Sequence, residues 1–263
     1  MLMIIDSLAH IPFESASRPI TGMAANYPHG YNIAKHKHLR SQFLYATQGV
    51  MVVETKEGRW VVPPTKVVWL QAHVEHTVSM RGKVSMRTLF IDPDAILGLP
   101  EKDCVLEVSP LLRELVLEAS RLPLDYDIRS RDGQLMKLLL GEFSRIPILS
   151  IQPFHLPWPA DERLEQVCIQ ITRQPADLTT ANQWADLLAM STKTFQRRFK
   201  SHTGITFGQW RQLARLLLSL ESLAQGTPII QVALEHGYGS QSAYTAVFKR
   251  HFGVTPSNFY NEI

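Results

Sequence analysis

The stretch FQRRFKSHTGIT, Phe195 to Thr206, returns as YTAVFKRHFGVT, Tyr244 to Thr255. Aromatic, aromatic, Lys, Gly and Thr recur with a constant offset of 49, so one helical unit is present twice. Two aromatic residues four apart share one face of a helix, and that face is the one expected to pack inward. Start signals for two helices accompany each copy. Thr180 with Gln183 forms a capping box, and Ser191 after Met190 caps the following helix. In the second copy Thr227 is the expected N-cap ahead of Pro228 at the first helical position, and Ser240 caps the next helix. Gly237 lies in the sharp turn between them, where positive φ carries no steric penalty for glycine.

Short helix, tight turn, second helix is the helix-turn-helix, whose second helix lies in the major groove of double-stranded DNA. In the first copy Lys193, Thr194, Gln196, Arg197 and Lys200 are the candidate DNA contacts. Lys and Arg can donate to guanine O6 and N7, and Gln can pair with adenine. The second copy offers Gln241, Ser242, Thr245 and Lys249, a less basic set expected to discriminate bases less. Formal net charge is only +3, but its distribution is uneven. Leu187 to Leu220 holds no acid while carrying Lys193, Arg197, Arg198, Lys200, Arg211 and Arg215. A polyanion responds to that local field rather than to the total. Between the copies, Trp210, Leu213, Leu217, Leu220 and Ala224 keep helical spacing and predict one long helix over Phe207 to Gln225.

At this level of detail the C-terminal part resembles the AraC/XylS-type regulators. The resemblance rests on Gln231-Val232-Ala233, Gly237-Tyr238, Ser240, Ser242, Phe248-Lys249, Phe252-Gly253 and Thr255-Pro256, continuing to Tyr260. It implies a seven-helix domain with two helix-turn-helix units and a function in transcription regulation. Ala189 departs from the pattern, since glycine is usual there; positive φ at an alanine costs ~1 kcal/mol.

The chain's 263 residues are enough for two domains, and 45% hydrophobic with 19% charged residues is ordinary globular composition. No apolar run reaches the ~18 residues that a membrane span needs. Met1 to His10 has no basic residue ahead of its apolar run and does not read as a secretory signal. Cys104 and Cys168, far apart, read as reduced thiols of a cytoplasmic protein. IPILSIQPFHLPWP, Ile146 to Pro159, contains Pro147, Pro153, Pro157 and Pro159 and reads as a boundary. The expected division is a sensing and dimerisation domain over 1–150, a linker over 151–160 and a DNA-binding domain over 161–263. The fold class is α+β multidomain.

Within the first part, Gln42 to Thr55, Arg59 to Val62, Val67 to Met80 and Val84 to Ile91 are strand-like. Residues 109–121 and 131–145 change to helical period. His36 and His38, two apart in an extended segment, face one side, and His76 follows in LQAHVEHT. With Gly30, Gly49, Gly58 and Pro64 these residues resemble the two-part motif of the cupins, small jelly-roll barrels. The resemblance implies a metal site on His36, His38 and His76, but Gln42 stands where the family has a glutamate. A neutral amide supplies no charge, so Fe(II) or Mn(II) affinity should fall, while three imidazoles still suit Zn(II) with an open fourth position. The same histidines also fit a metal-free reading in which they line a ligand pocket or satisfy each other by hydrogen bonds. The barrel is then the place for a small-molecule effector. A homodimer is expected, with RNA polymerase as a further partner if the protein activates. The VVPP stretch and VSPLLRELVLEA resemble a subgroup of such regulators linked to neighbouring transporter genes. The competing function is a metal-dependent cupin enzyme fused to a DNA-binding domain.

Overall fold

The computed structural model describes residues 11–64, 66–95, 100–143, 145 and 154–260. These form two compact units. One runs through residue 55 and resumes at Val62. The other combines Lys56–Val61 with the residues described after 151.

The first unit begins with a short helix, α1 (Ile11–Glu14), followed by β1 (Ile20–Tyr27), β2 (Asn32–His36) and β3 (Ser41–Thr55). After β4 (Gly58–Val62), which but for its last residue belongs to the second unit, come β5 (Lys66–Leu70), β6 (His76–Ile91) and β7 (Cys104–Glu107). Long β6 is the spine: it pairs antiparallel with β3 on one edge and with β1 and β2 on the other. β3 also pairs with β5, and β5 with β7. A register shift around Gln48 bends β3, and Gly49 permits it with φ of 76°. A Cβ on Gly49 would lie 2.4 Å from the Lys83 carbonyl oxygen, so only glycine fits. Two helices, α2 (Pro110–Ala119) and α3 (Arg131–Phe143), then pack on the sheet. Leu112, Val116, Met136, Leu139 and Phe143 join Phe43, Tyr45, Trp69 and Leu89 in one core.

The expected strand Val67 to Met80 is broken. Residues 71–75 leave the sheet because other groups claim their backbone: Gln71 N–H donates to Asp103 Oδ1 and His73 N–H to the His38 carbonyl. His76 to Ile91 is instead continuous, and β1 and β7 add strands the sequence reading did not assign.

The second unit starts where the proline-rich segment is expected to act as linker. Residues 146–153, with Pro147 and Pro153, lie outside the described residues, as does the start, Met1 to His10. The described remainder contains a strand, β8 (His155–Pro157), paired antiparallel with β4. Pro157 is tolerated because it sits at the end of a three-residue strand. Six helices follow among the described residues: α4 (Glu162–Arg173), α5 (Ala181–Leu187), α6 (Thr192–Thr203), α7 (Phe207–Ala224), α8 (Ile229–Glu235) and α9 (Gln241–Phe252). The seventh helix implied by the resemblance is not among them; residues after Pro256 form turns, with Tyr260 donating its hydroxyl to the Leu220 carbonyl.

Capping at α5, α6 and α9 follows the sequence reading, through Thr180 with Gln183, Ser191 and Ser240. At α8 it differs, because Pro228 rather than Thr227 occupies the cap and no side chain bonds there. Phe195, Phe199, Tyr244 and Phe248 are fully buried, so the repeated aromatic pairs hold their helices inward.

Both turns use positive φ, 52° at Ala189 and 75° at Gly237. The two positions are not equally open. A Cβ at Gly237 would lie 2.6 Å from Arg215 Nη2 and 3.0 Å from the Ala176 Cα. Gly237→Ala is therefore expected to cost about 3 kcal/mol, combining backbone strain with displacement of that guanidinium. Ala189→Gly relieves strain but adds freedom to the unfolded chain, for a net gain below ~1 kcal/mol. Urea unfolding of both variants, followed by tryptophan fluorescence, measures the contrast.

Candidate nucleic-acid interface and ligand cavity

With Phe195 and Phe199 inside, 100° per residue turns Lys193, Arg197 and Lys200 to the opposite side of α6, flanked by Gln196 and Thr194. Lys193, Gln196, Arg197 and Lys200 are exposed; Thr194 is half-buried, its hydroxyl bonded to Ser191 Oγ at the cap. On α9, Gln241, Ser242 and Lys249 are exposed and Thr245 is half-buried. α7, 18 residues and about 27 Å long, connects the two helix-turn-helix motifs.

The structure reduces the supply of cations that the sequence advertises. Arg198 Nη2 is 2.5 Å from Asp161 Oδ2, the N-cap of α4. Arg211 donates to the Thr179 carbonyl. Arg215 gives three bonds, to the carbonyls of Pro175, Asp177 and Gly237. These arginines brace the turns. Lys193, Arg197 and Lys200 remain for a phosphate or a base.

A second site lies in the sheet unit. His36 on β2 stands opposite His76 on β6, and His38 follows two residues later. The ring centroids are 4.3 Å (His36 to His76), 4.8 Å (His36 to His38) and 5.3 Å (His38 to His76) apart. One potential ligand atom from each lies within 4.8 Å of the others. The Nδ1 atoms face oxygen: the Ala34 carbonyl at 2.7 Å, Glu14 Oε1 at 2.5 Å and the Val74 carbonyl at 2.9 Å, for His36, His38 and His76 in turn. Such partners fix the proton on Nδ1 and leave the lone pair on Nε2, the tautomer a metal ligand requires. A zinc ion at ~2.1 Å needs nitrogens about 3.4 Å apart, so the rings must close slightly to bind one. Gln42 Oε1, buried and without a hydrogen-bond partner, adds a neutral oxygen. Three imidazoles and an amide suit a borderline ion better than a hard one.

Beside these residues is a cavity of about 240 Å³, walled by Tyr27, Tyr31, Phe90 and Met86 and reaching His36, His38 and Gln42. Glu14 and the tyrosines were not legible in the sequence. Glu14 lies far upstream of His38, with no motif to connect the two, and it also accepts from Leu39 N–H.

Two helix-turn-helix units combined with a sheet domain enclosing a cavity define a DNA-binding transcription regulator with a ligand-binding domain. Residues 20–188 match the family described as "AraC-like ligand binding domain", and residues 184–262 match "Helix-turn-helix domain". The chain belongs to the AraC family of transcription regulators. It is 30% identical over 224 residues to the HTH-type transcriptional regulator NimR of Escherichia coli K12, covering 85% of this chain and 81% of NimR. The HTH-type transcriptional regulator RipA of Corynebacterium glutamicum is 35% identical over 103 residues, 39% of this chain and 31% of RipA. Among solved structures, ToxT of Vibrio cholerae aligns over 92% of this chain and 98% of its own, at 12% identity and a TM-score of 0.38. No helix among the described residues is long and apolar enough to cross a membrane.

Proposed function

We propose that α6 reads base edges through Lys193, Gln196 and Arg197, with Thr194 beside them and Lys200 on the phosphate backbone. α9 docks in the next groove through Gln241, Ser242, Thr245 and Lys249. The observation that carries this reading is the outward set on α6: its long cationic and amide side chains are exposed, while Arg198, Arg211 and Arg215 are committed to other partners. Arg197→Ala is expected to weaken binding to a preferred duplex by ~1–3 kcal/mol and to relax preference at one base pair. Lys200→Ala should weaken all duplexes about equally and flatten the log–log salt slope by ~0.9. A gel-shift titration in which neither variant changes affinity removes α6 from the groove.

The cavity is the proposed effector site, with His36, His38 and His76 able to hold a divalent ion such as zinc and Gln42 facing it. Bound there, such an ion supplies a Lewis-acidic open position for an effector atom. Exposed Leu111, Ile128 and Leu138 on and beside α2 and α3 offer an apolar surface for a homodimer. The protein is proposed to act in the cytoplasm without catalysis of its own, on genes that include a neighbouring transporter, contacting RNA polymerase where it activates. Metal analysis of protein purified without a nickel column tests the ion. Iron-dependent turnover lost in His76→Ala would instead make the sheet domain an enzyme.

A further inference from the structure

The duplication allows the two recognition helices to be compared side chain by side chain. With the offset of 49, Lys193 corresponds to Ser242, Thr194 to Ala243, Gln196 to Thr245, Arg197 to Ala246 and Lys200 to Lys249. Packing preserves the equivalence: Phe195 and Phe199 are buried as Tyr244 and Phe248 are, and both helices begin on a serine cap and end on a left-handed glycine. The outward faces are therefore comparable, and their chemistry is not. Every long donor at a base-facing place in α6 is replaced in α9 by a side chain of one to three heavy atoms. Ala243 and Ala246 are exposed although alanine has nothing to offer water, and half-buried Thr245, which carries a methyl, stands at the other edge of that face from Ala243. Lys249 alone keeps its charge, at the place equivalent to the proposed phosphate contact.

A face of methyl groups and short hydroxyls lacks the long, two-pronged donor that spans guanine O6 and N7. It complements the one apolar feature on the major-groove edge, the C5 methyl of thymine. Short side chains also let the helix backbone come nearer the base edges, which such contacts require. We propose that the second unit recognises thymine methyl groups through Ala243, Thr245 and Ala246, while the first reads guanine and adenine edges. The binding site is then chemically lopsided: one half carries guanine, and the other is specified by thymine methyls. This inference rests on the reading that both helices enter the major groove.

The test alters the DNA and leaves the full-length protein intact. Duplexes of about 30 base pairs, long enough for two half-sites a helical turn apart, are selected from a random pool by the full chain. The best duplex is resynthesised with uracil replacing thymine, one position at a time. Uracil keeps every hydrogen-bonding group and removes only the methyl. Loss of one buried methyl contact corresponds to about fourfold in affinity. The expected result is no such loss in the half whose preference Arg197→Ala relaxes, and a loss at one or more thymines in the other half. Uracil tolerated at every position, with Lys249→Ala still weakening binding, overturns the methyl reading alone. If Lys249→Ala and Ala246→Glu both leave affinity unchanged, α9 is not in the groove, and the docking reading falls together with the inference.

Discussion

Trp210→Ala is expected to remove about 3–5 kcal/mol from the stability of the helical unit, the range for truncating a large buried aromatic side chain. Trp210 is fully buried on α7, with its ring centroid 5.8 Å from Phe199 and 5.9 Å from Trp158. Its indole N–H donates to the Pro157 carbonyl at 2.7 Å, so truncation also leaves that oxygen without its donor. Because Phe199 belongs to α6, the loss reaches the recognition helix directly. Hydrogen exchange should show faster exchange of α6 and α7 amides, with weaker binding to any duplex. Lys200→Ala provides the contrast, because it lowers DNA affinity while leaving amide protection unchanged. Unchanged protection in Trp210→Ala would show that the α6–α7 contact does not hold the recognition helix.

Acid should have a comparable effect on the same unit through His155. Burial lowers its pKa to about 4, while a backbone hydrogen bond with Glu57 opposes the shift. The folded value lies below the ~6.5 of an unfolded histidine, so the unfolded chain takes up the proton first. The stabilisation is complete above about pH 6.5 and is lost as pH falls toward 4, for a total of ~3 kcal/mol. His236, also held low chiefly by burial, acts with the same sign. Urea midpoints between pH 7 and 4 read this out through tryptophan fluorescence; Trp60, Trp158, Trp184 and Trp210 all belong to the second unit. In His155→Gln most of the slope should disappear. A wild-type midpoint that does not move across this range contradicts the assignment.

What the sequence made legible was local. A capping box, a serine cap or a pair of aromatics four apart fixes a helix within a few residues, and α5, α6, α7 and α9 lie where those signals put them. Ala189 was also readable as a position under backbone strain. What was not legible depends on partners remote in the chain. The break at residues 71–75 is set by Asp103 and by the His38 carbonyl, and no pattern around Gln71 announces either. The charge count misled for the same reason, since Arg198, Arg211 and Arg215 look as available as Arg197 until the fold shows the oxygens they serve. His36 and His38 were found by their spacing, and His76 through the resemblance to the cupin motif. Glu14, which fixes the tautomer of His38, had no spacing to give it away.

The placement of Lys56–Val61 in the second unit has a practical consequence for anyone who wants to cut or graft this regulator. A gene fragment beginning at the proline-rich segment encodes every helix of the reading head yet omits β4, the strand that β8 pairs with. It also omits Arg59, whose guanidinium lies 3.8 Å from the centre of the Trp158 ring, and Trp60, whose ring lies against His155. Such a fragment would expose an unpaired strand edge and bare indole surface, both of which favour self-association. Chimeras that exchange one regulator's head for another's at this junction would inherit the same mismatch. Here the unit of inheritance is discontinuous in the gene, and a transplantable head has to carry its own copy of six residues encoded almost a hundred codons upstream.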